Sequence, residues 1–84
     1  MRKTEIEEPA YRPISCDTYS RLELAILQRQ RLRLTWRAGN VCFTLKVVPL
    51  DLETRAGEEF LHCRLPDGAL ARVRLDHIAR VGPV

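Results

Sequence analysis

Eighty-four residues, 45% of them hydrophobic and 30% charged, suffice for one globular domain and are too few for two independent cores. Charges interrupt every apolar run, so nothing approaches the roughly 18 apolar residues of a membrane span. The formal net charge is only +3, which excludes a strongly acidic chain, and its distribution says more than its sum. Arg29, Arg31, Arg33 and Arg37 follow one another without an acid, whereas Asp51, Glu53, Glu58 and Glu59 lie beside Arg55 alone. Such segregation predicts two differently charged surfaces; the plainer reading is two solvated faces.

Residues 1–10 are polar and mixed in charge, which predicts a flexible N-terminal tail ahead of a single domain over residues 11–84. No apolar segment follows the positive charges of the opening, so a secretory signal is not expected and the cytoplasm is. Pro13 biases Arg12 to extended backbone, laying Tyr11 and Ile14 along the domain as anchors. A helix then starts at Asp17 or Ser20 and runs to about Gln28. Ser20 and Glu23 have capping-box spacing, and Asp17 suits the positive end of a helix dipole. Leu22, Ala25 and Ile26 follow a helical period and mark the buried side, with Tyr19 at its border.

Residues 31–36 alternate polar and apolar side chains, a half-buried strand with Leu32, Leu34 and Trp36 inward. A turn at Ala38-Gly39-Asn40 leads to a second strand over residues 41–48, with Val41, Phe43, Leu45 and Val47 on one face. Trp36 and Phe43 are both expected in the core. Pro49 should stop that strand or mark an edge, leaving an acidic loop over residues 51–57. Residues 59–65 and 69–75 flank Pro66-Asp67-Gly68, a three-residue hairpin connection that pairs Leu65 with Ala69. Leu61, Cys63, Ala71, Val73 and Leu75 then face the core, and Phe60, His62, Arg64, Leu70, Arg72 and Arg74 share the other face. Ile78 and Val81 supply a short closing strand.

One N-terminal helix followed by about five short antiparallel strands predicts a mostly β fold, a small Sm-like barrel or sandwich. An OB-fold fits less well, because its helix commonly sits between the third and fourth strands, where this chain has the acidic segment. Catalysis is not expected: phosphate loop, nucleophile elbow and metal-spaced histidines are all missing. His62 and Cys63 would point to opposite faces of a strand, which defeats general-base activation. Cys16, Cys42 and Cys63 are odd in number and lack CxxC spacing, so a structural role outweighs metal or redox chemistry, and no cofactor or metal is expected.

The string Tyr11-x-Pro13-Ile14-x-Cys16-Asp17-x-Tyr19, followed by Leu22-Glu23-Leu24-Ala25, and the later Arg74-Leu75-Asp76-His77-Ile78 together resemble the Rof family. The resemblance runs from about Tyr11 to Val81. It implies an Sm-like fold and a Rho-binding antiterminator: a protein that docks on the N-terminal domain of the Rho hexamer, competes with nascent RNA at the primary RNA site, and so inhibits Rho-dependent termination. Asp17, Tyr19 and Glu23 match the family motif and are carried over as Rho contacts. Each also has a local reading, as helix cap, core-edge ring and capping-box partner respectively. A family member carries acids where this chain has Thr18 and Ser20, so Asp51, Glu53, Glu58 and Glu59 become a compensating acidic contact segment.

The alternative is direct binding of RNA or DNA through Phe60, His62, Arg64, Arg72 and Arg74, which mix cations with a ring. Arg31, Arg33 and Pro49 on potential edges argue against strand-to-strand assembly, so the free protein is expected to be a monomer.

Overall fold

A computed structural model describes residues 12–84. The N-terminal tail and the Tyr11 anchor expected from the sequence lie outside the described residues. Helix α1 spans Cys16–Gln28. Five strands follow: β1 (Leu32–Ala38), β2 (Val41–Arg55), β3 (Glu58–Arg64), β4 (Leu70–Arg74) and β5 (Ile78–Pro83). A 3-10 turn, Leu75–His77, links β4 to β5. All ladders are antiparallel, in the order β4-β3-β2-β1-β5. The expected helix and five strands are therefore present. Among the described residues no backbone ladder joins the terminal strands β4 and β5, so the sheet is not closed by pairing.

The helix begins earlier than its capping-box spacing suggested. Ser15, in extended backbone after Pro13-Ile14, is the N-cap, and its hydroxyl accepts from the Thr18 amide at 3.2 Å. Ser20 and Glu23 both lie inside the helix, so neither caps it; Asp17 sits in the first turn, where a carboxylate suits the dipole. The far end closes without glycine. Arg29 takes a left-handed conformation (φ 55°), with its amide bonded to Ile26 O and that of Gln30 to Ala25 O, a Schellman arrangement.

The second correction concerns residues 49–57. Pro49 does not end the second strand, and the acidic segment is not a loop. β2 continues for 15 residues as an inner strand, pairing β1 with its first half and β3 with its second. The register shifts between Pro49 and Asp51, so Leu50 is an extra residue and the proline falls at a bulge, where a missing N–H is tolerated. A two-residue turn, Ala56-Gly57, then reverses the chain; both residues have positive φ (53° and 80°), as a primed hairpin turn requires. The third turn is as expected: Leu65 N donates to Ala69 O at 2.8 Å, and Gly68 has φ 90°.

Leu22 and Ala25 of α1 pack with Leu32, Leu34, Trp36, Val47, Leu61, Cys63, Val73, Leu75 and Val81 in one core, bordered by Ile14 and Tyr19. Phe43 is the exception among the expected core residues. It stacks on Trp36 with ring centroids 5.5 Å apart yet remains 39% exposed, because the β1–β2 hairpin tip projects past the helix-covered core. Val41, beside it in the same tip, is also exposed.

Two measurements check this packing. Ser15→Ala should lower unfolding free energy by about 1 kcal/mol, while Ser20→Ala should change it little. Burial pushes the Cys63 thiol up to about 11, whereas Cys16 and Cys42 are exposed. A thiol reagent at neutral pH should therefore label Cys16 and Cys42 in the native protein, and Cys63 only after denaturation. Rapid native labelling of Cys63 would contradict the core assignment.

Candidate partner-binding site

Helix α1 buries one stripe and leaves a broad outer face. Leu27, 80% exposed, and Leu24 are on that outer face, an unusual pair of bare apolar side chains. Tyr19, Glu23, Ile26 and Leu27 of α1 meet Asp51 and Leu52 of β2 along a groove of about 440 Å³. Tyr19 is half-buried at its wall. Its phenol is held above the usual value first by burial and then by the charges of Glu59 and Glu23. Glu23 and Asp51 line the groove, and the charges of Glu59 and Glu23 act on its tyrosine. Continuation of β2 through Pro49 makes this possible, since it carries Asp51 and Leu52 along the helix.

Asp17 is not in the groove. Two helix residues turn the chain by about 200°, so Asp17 and Tyr19 lie on opposite flanks, with the exposed Ser20, Leu24 and Leu27 between Asp17 and the groove. Thr18 is half-buried, and its hydroxyl and amide both engage Ser15.

The four acids of the second half of β2 and the start of β3 do not form one surface: cross-strand register puts Asp51, Glu53 and Glu58 on the outer face of the sheet and Glu59, opposite Thr54, on the helix side. Asp51, at the edge of the outer face, also lines the Tyr19 groove, and the Glu59 charge reaches the Tyr19 phenol from the helix side. On the outer face, Glu53 Oε1 lies 2.6 Å from His62 Nε2 and 4.0 Å from Arg72 Nη1, and Oε2 lies 3.2 Å from Arg55 Nε. Glu58 Oε2 is 3.7 Å from Arg74 Nη1. The hydrogen bond from His62, then the nearby Arg55 and Arg72, outweigh desolvation and hold the Glu53 carboxyl below its ordinary value.

These pairings also occupy the face expected to offer a stacking platform. Phe60 shares that face by register but is only 8% exposed, with the Arg72 guanidinium 4.2 Å above its ring centre. His62 is bonded to Glu53. Arg74 holds Asp76, its Nη2 donating to Oδ2 at 2.9 Å while Nε lies 2.8 Å from Oδ1. Arg64 is exposed, at the edge of a different groove. A cation over a ring is readable from spacing only once strand register is known, and the Tyr19 groove needed the corrected course of β2.

Among the described residues no group of His, Cys, Asp or Glu is arranged to hold a metal ion, and no helix is long and apolar enough to cross a membrane. The architecture is that of a small mostly-β domain, one helix over an antiparallel sheet with a groove lined by Glu23 and Asp51 between them. A family model described as modulator of Rho-dependent transcription termination (ROF) matches residues 13–84, and the chain belongs to this Rof family. Neither the curated proteins nor the solved structures give a match to the chain.

The Glu53 cluster has a testable pH signature. A carboxyl held below its ordinary value in the folded state adds stability above about pH 4.5, and that contribution is lost as pH falls through the lowered folded value. Glu53→Gln should therefore flatten the acid-side decline of the melting temperature and lower it near neutrality. An unchanged pH profile would show that the cluster does not contribute.

Proposed function

We propose that this protein inhibits Rho-dependent termination by binding the N-terminal domain of Rho and competing with nascent RNA at its primary RNA-binding site. The observation that carries the reading is the acid-rimmed groove beside the bare Leu24–Leu27 face. A site that grips RNA is a positively charged groove, often with aromatic partners, and a protein that occupies it should offer carboxylates, a ring and some apolar surface. Glu23, Asp51 and Glu59 supply the charge, Tyr19 the ring and Leu24 and Leu27 the apolar area. Membership of a family of termination modulators makes Rho the natural partner.

The interface centres on Tyr19 and Glu23 and extends across the outer face of α1 to Asp17. Asp51 and Glu59 supply the charge that Thr18 and Ser20 lack, whereas Glu53 and Glu58 serve internal pairs. The protein acts without catalysis or cofactor, as a monomeric cytoplasmic domain when free. The strand order, with a 3-10 turn linking its two ends, favours an Sm-like fold.

A pull-down on purified Rho tests this directly. The chain should be retained, and a pyrimidine-rich RNA added in excess should displace it. Asp17→Lys combined with Glu23→Lys should weaken Rho binding at least about tenfold, or 1.4 kcal/mol, with an unchanged circular dichroism spectrum. Tyr19→Ala should do the same. If Rho holds RNA and this protein together without mutual interference, competition is refuted; full affinity in the charge-reversed variant would reject the surface.

A further inference from the structure

No Asp or Glu occurs between Glu23 and Asp51 or after Asp76, so the ladder of β5, β1 and the first half of β2 carries no acid. On its outer face Arg33 stands directly opposite Lys46. Directly opposed cross-strand residues have Cβ atoms about 5 Å apart, and like charges there destabilise a sheet. Among the described residues neither has a carboxylate partner, nor do Arg31 and Arg64. All four are exposed, and together with Thr44 and Leu65 they line one groove of about 560 Å³ between this face and the β3–β4 turn. No residue lining it also lines the Tyr19 groove.

We propose that this second groove binds the phosphodiester backbone of single-stranded RNA. Repulsion built into the Arg33–Lys46 pair is relieved by an anion placed between them. Three guanidinium forks suit phosphate oxygens, which they grip by paired hydrogen bonds, and the ammonium of Lys46 adds a point charge. Arg31 and Arg33, two residues apart on extended chain, are separated by about 6.8 Å, comparable to successive phosphates of a stretched strand. No aromatic side chain lines the groove, so it reads charge and spacing and not bases. This groove shares only Arg64 with the Phe60 face, whose His62, Arg72 and Arg74 are already paired, and the inference does not depend on Rho being the partner.

Fluorescence anisotropy of the full chain with a labelled oligouridylate, in the absence of Rho, is the test. An oligodeoxyuridylate arm distinguishes RNA from any phosphodiester, and poly-glutamate as competitor represents an acidic protein. The oligouridylate should bind with a log–log salt slope near −2.8, four contacts at about −0.7 each for a single strand. Arg33→Gln should remove about 0.7 from that slope. Arg31→Glu with Arg33→Glu should lose binding by more than about tenfold with an unchanged circular dichroism spectrum, and Arg33→Glu should melt higher than the native chain, because an opposed like-charge pair becomes an attractive one. Tight binding of DNA as well leaves the phosphate assignment intact and removes only selectivity for RNA. Salt-insensitive binding, binding unaffected by the double reversal, or binding of poly-glutamate without the oligouridylate would each overturn the proposal.

Discussion

β2 carries both halves of this molecule, and its passage through Pro49 is the constraint from which the surfaces follow. A strand that ended at Val48 would leave the first half of β2 with β1 and β5, and the β3–β4 hairpin, as separate three- and two-stranded pieces, the hairpin too small to be stable alone. By continuing past a one-residue bulge, β2 joins them into one sheet and aligns Val47 and Leu61 with the same helix. The bulge also re-aims the strand, so its second half runs along α1 and brings Asp51 and Leu52 beside Tyr19.

Charge segregation follows the same division. The first half of β2, with β1 and β5, is purely basic; the second half, with β3 and β4, mixes acids with arginines. Within the mixed half, alternation sets Glu59 on the helix side of the sheet, apart from Glu53 and Glu58. Glu53 and Glu58 are matched by His62, Arg55, Arg72 and Arg74. Burial, and then the charges of Glu59 and Glu23, raise the Tyr19 phenol. Exposed pairs such as those of Glu53 and Glu58 add little stability each, but they keep the β3–β4 face electrostatically quiet and leave the helix groove as the acidic feature of the domain.

Much of this was legible in the residues themselves. Alternation placed Leu32, Leu34 and Trp36 inward, counting across Pro66-Asp67-Gly68 set the β3–β4 register, and the i, i+3 spacing found Leu22 and Ala25. What escaped was punctuation without its usual residues. Arg29 and Ala56 adopt positive φ where glycine or asparagine would have announced it, and Pro49 sits within a strand because a bulge absorbs its missing donor. With Ala56-Gly57 unread as a turn, the acids before it looked like one loop. The place of Glu59 on the helix side, apart from Glu53 and Glu58, and the membership of the groove needed the register across that turn.

The two sequence anchors of the family resemblance meet in space, and this separates scaffold from surface. Asp76 accepts from the Arg12 amide at 3.1 Å while also holding Arg74, so the segment entering α1 is tied to the turn between β4 and β5. Leu75 between them is fully buried, and Ile78 packs on the core. The Arg-Leu-Asp-x-Ile closing motif is therefore explained by architecture: it fixes the start of the helix. Ser15 then caps it and engages Thr18, which turns part of the N-terminal motif inward as well. An acid at position 18 would have to give up that hydroxyl contact, so threonine there reflects capping chemistry as much as lost charge. Once these roles are assigned, Asp17, Ser20, Glu23, Leu24 and Leu27 are left exposed on the helix, with Tyr19 half-buried at its groove edge. Variation along this set changes what the domain offers a partner without loosening the tie that holds the helix in position.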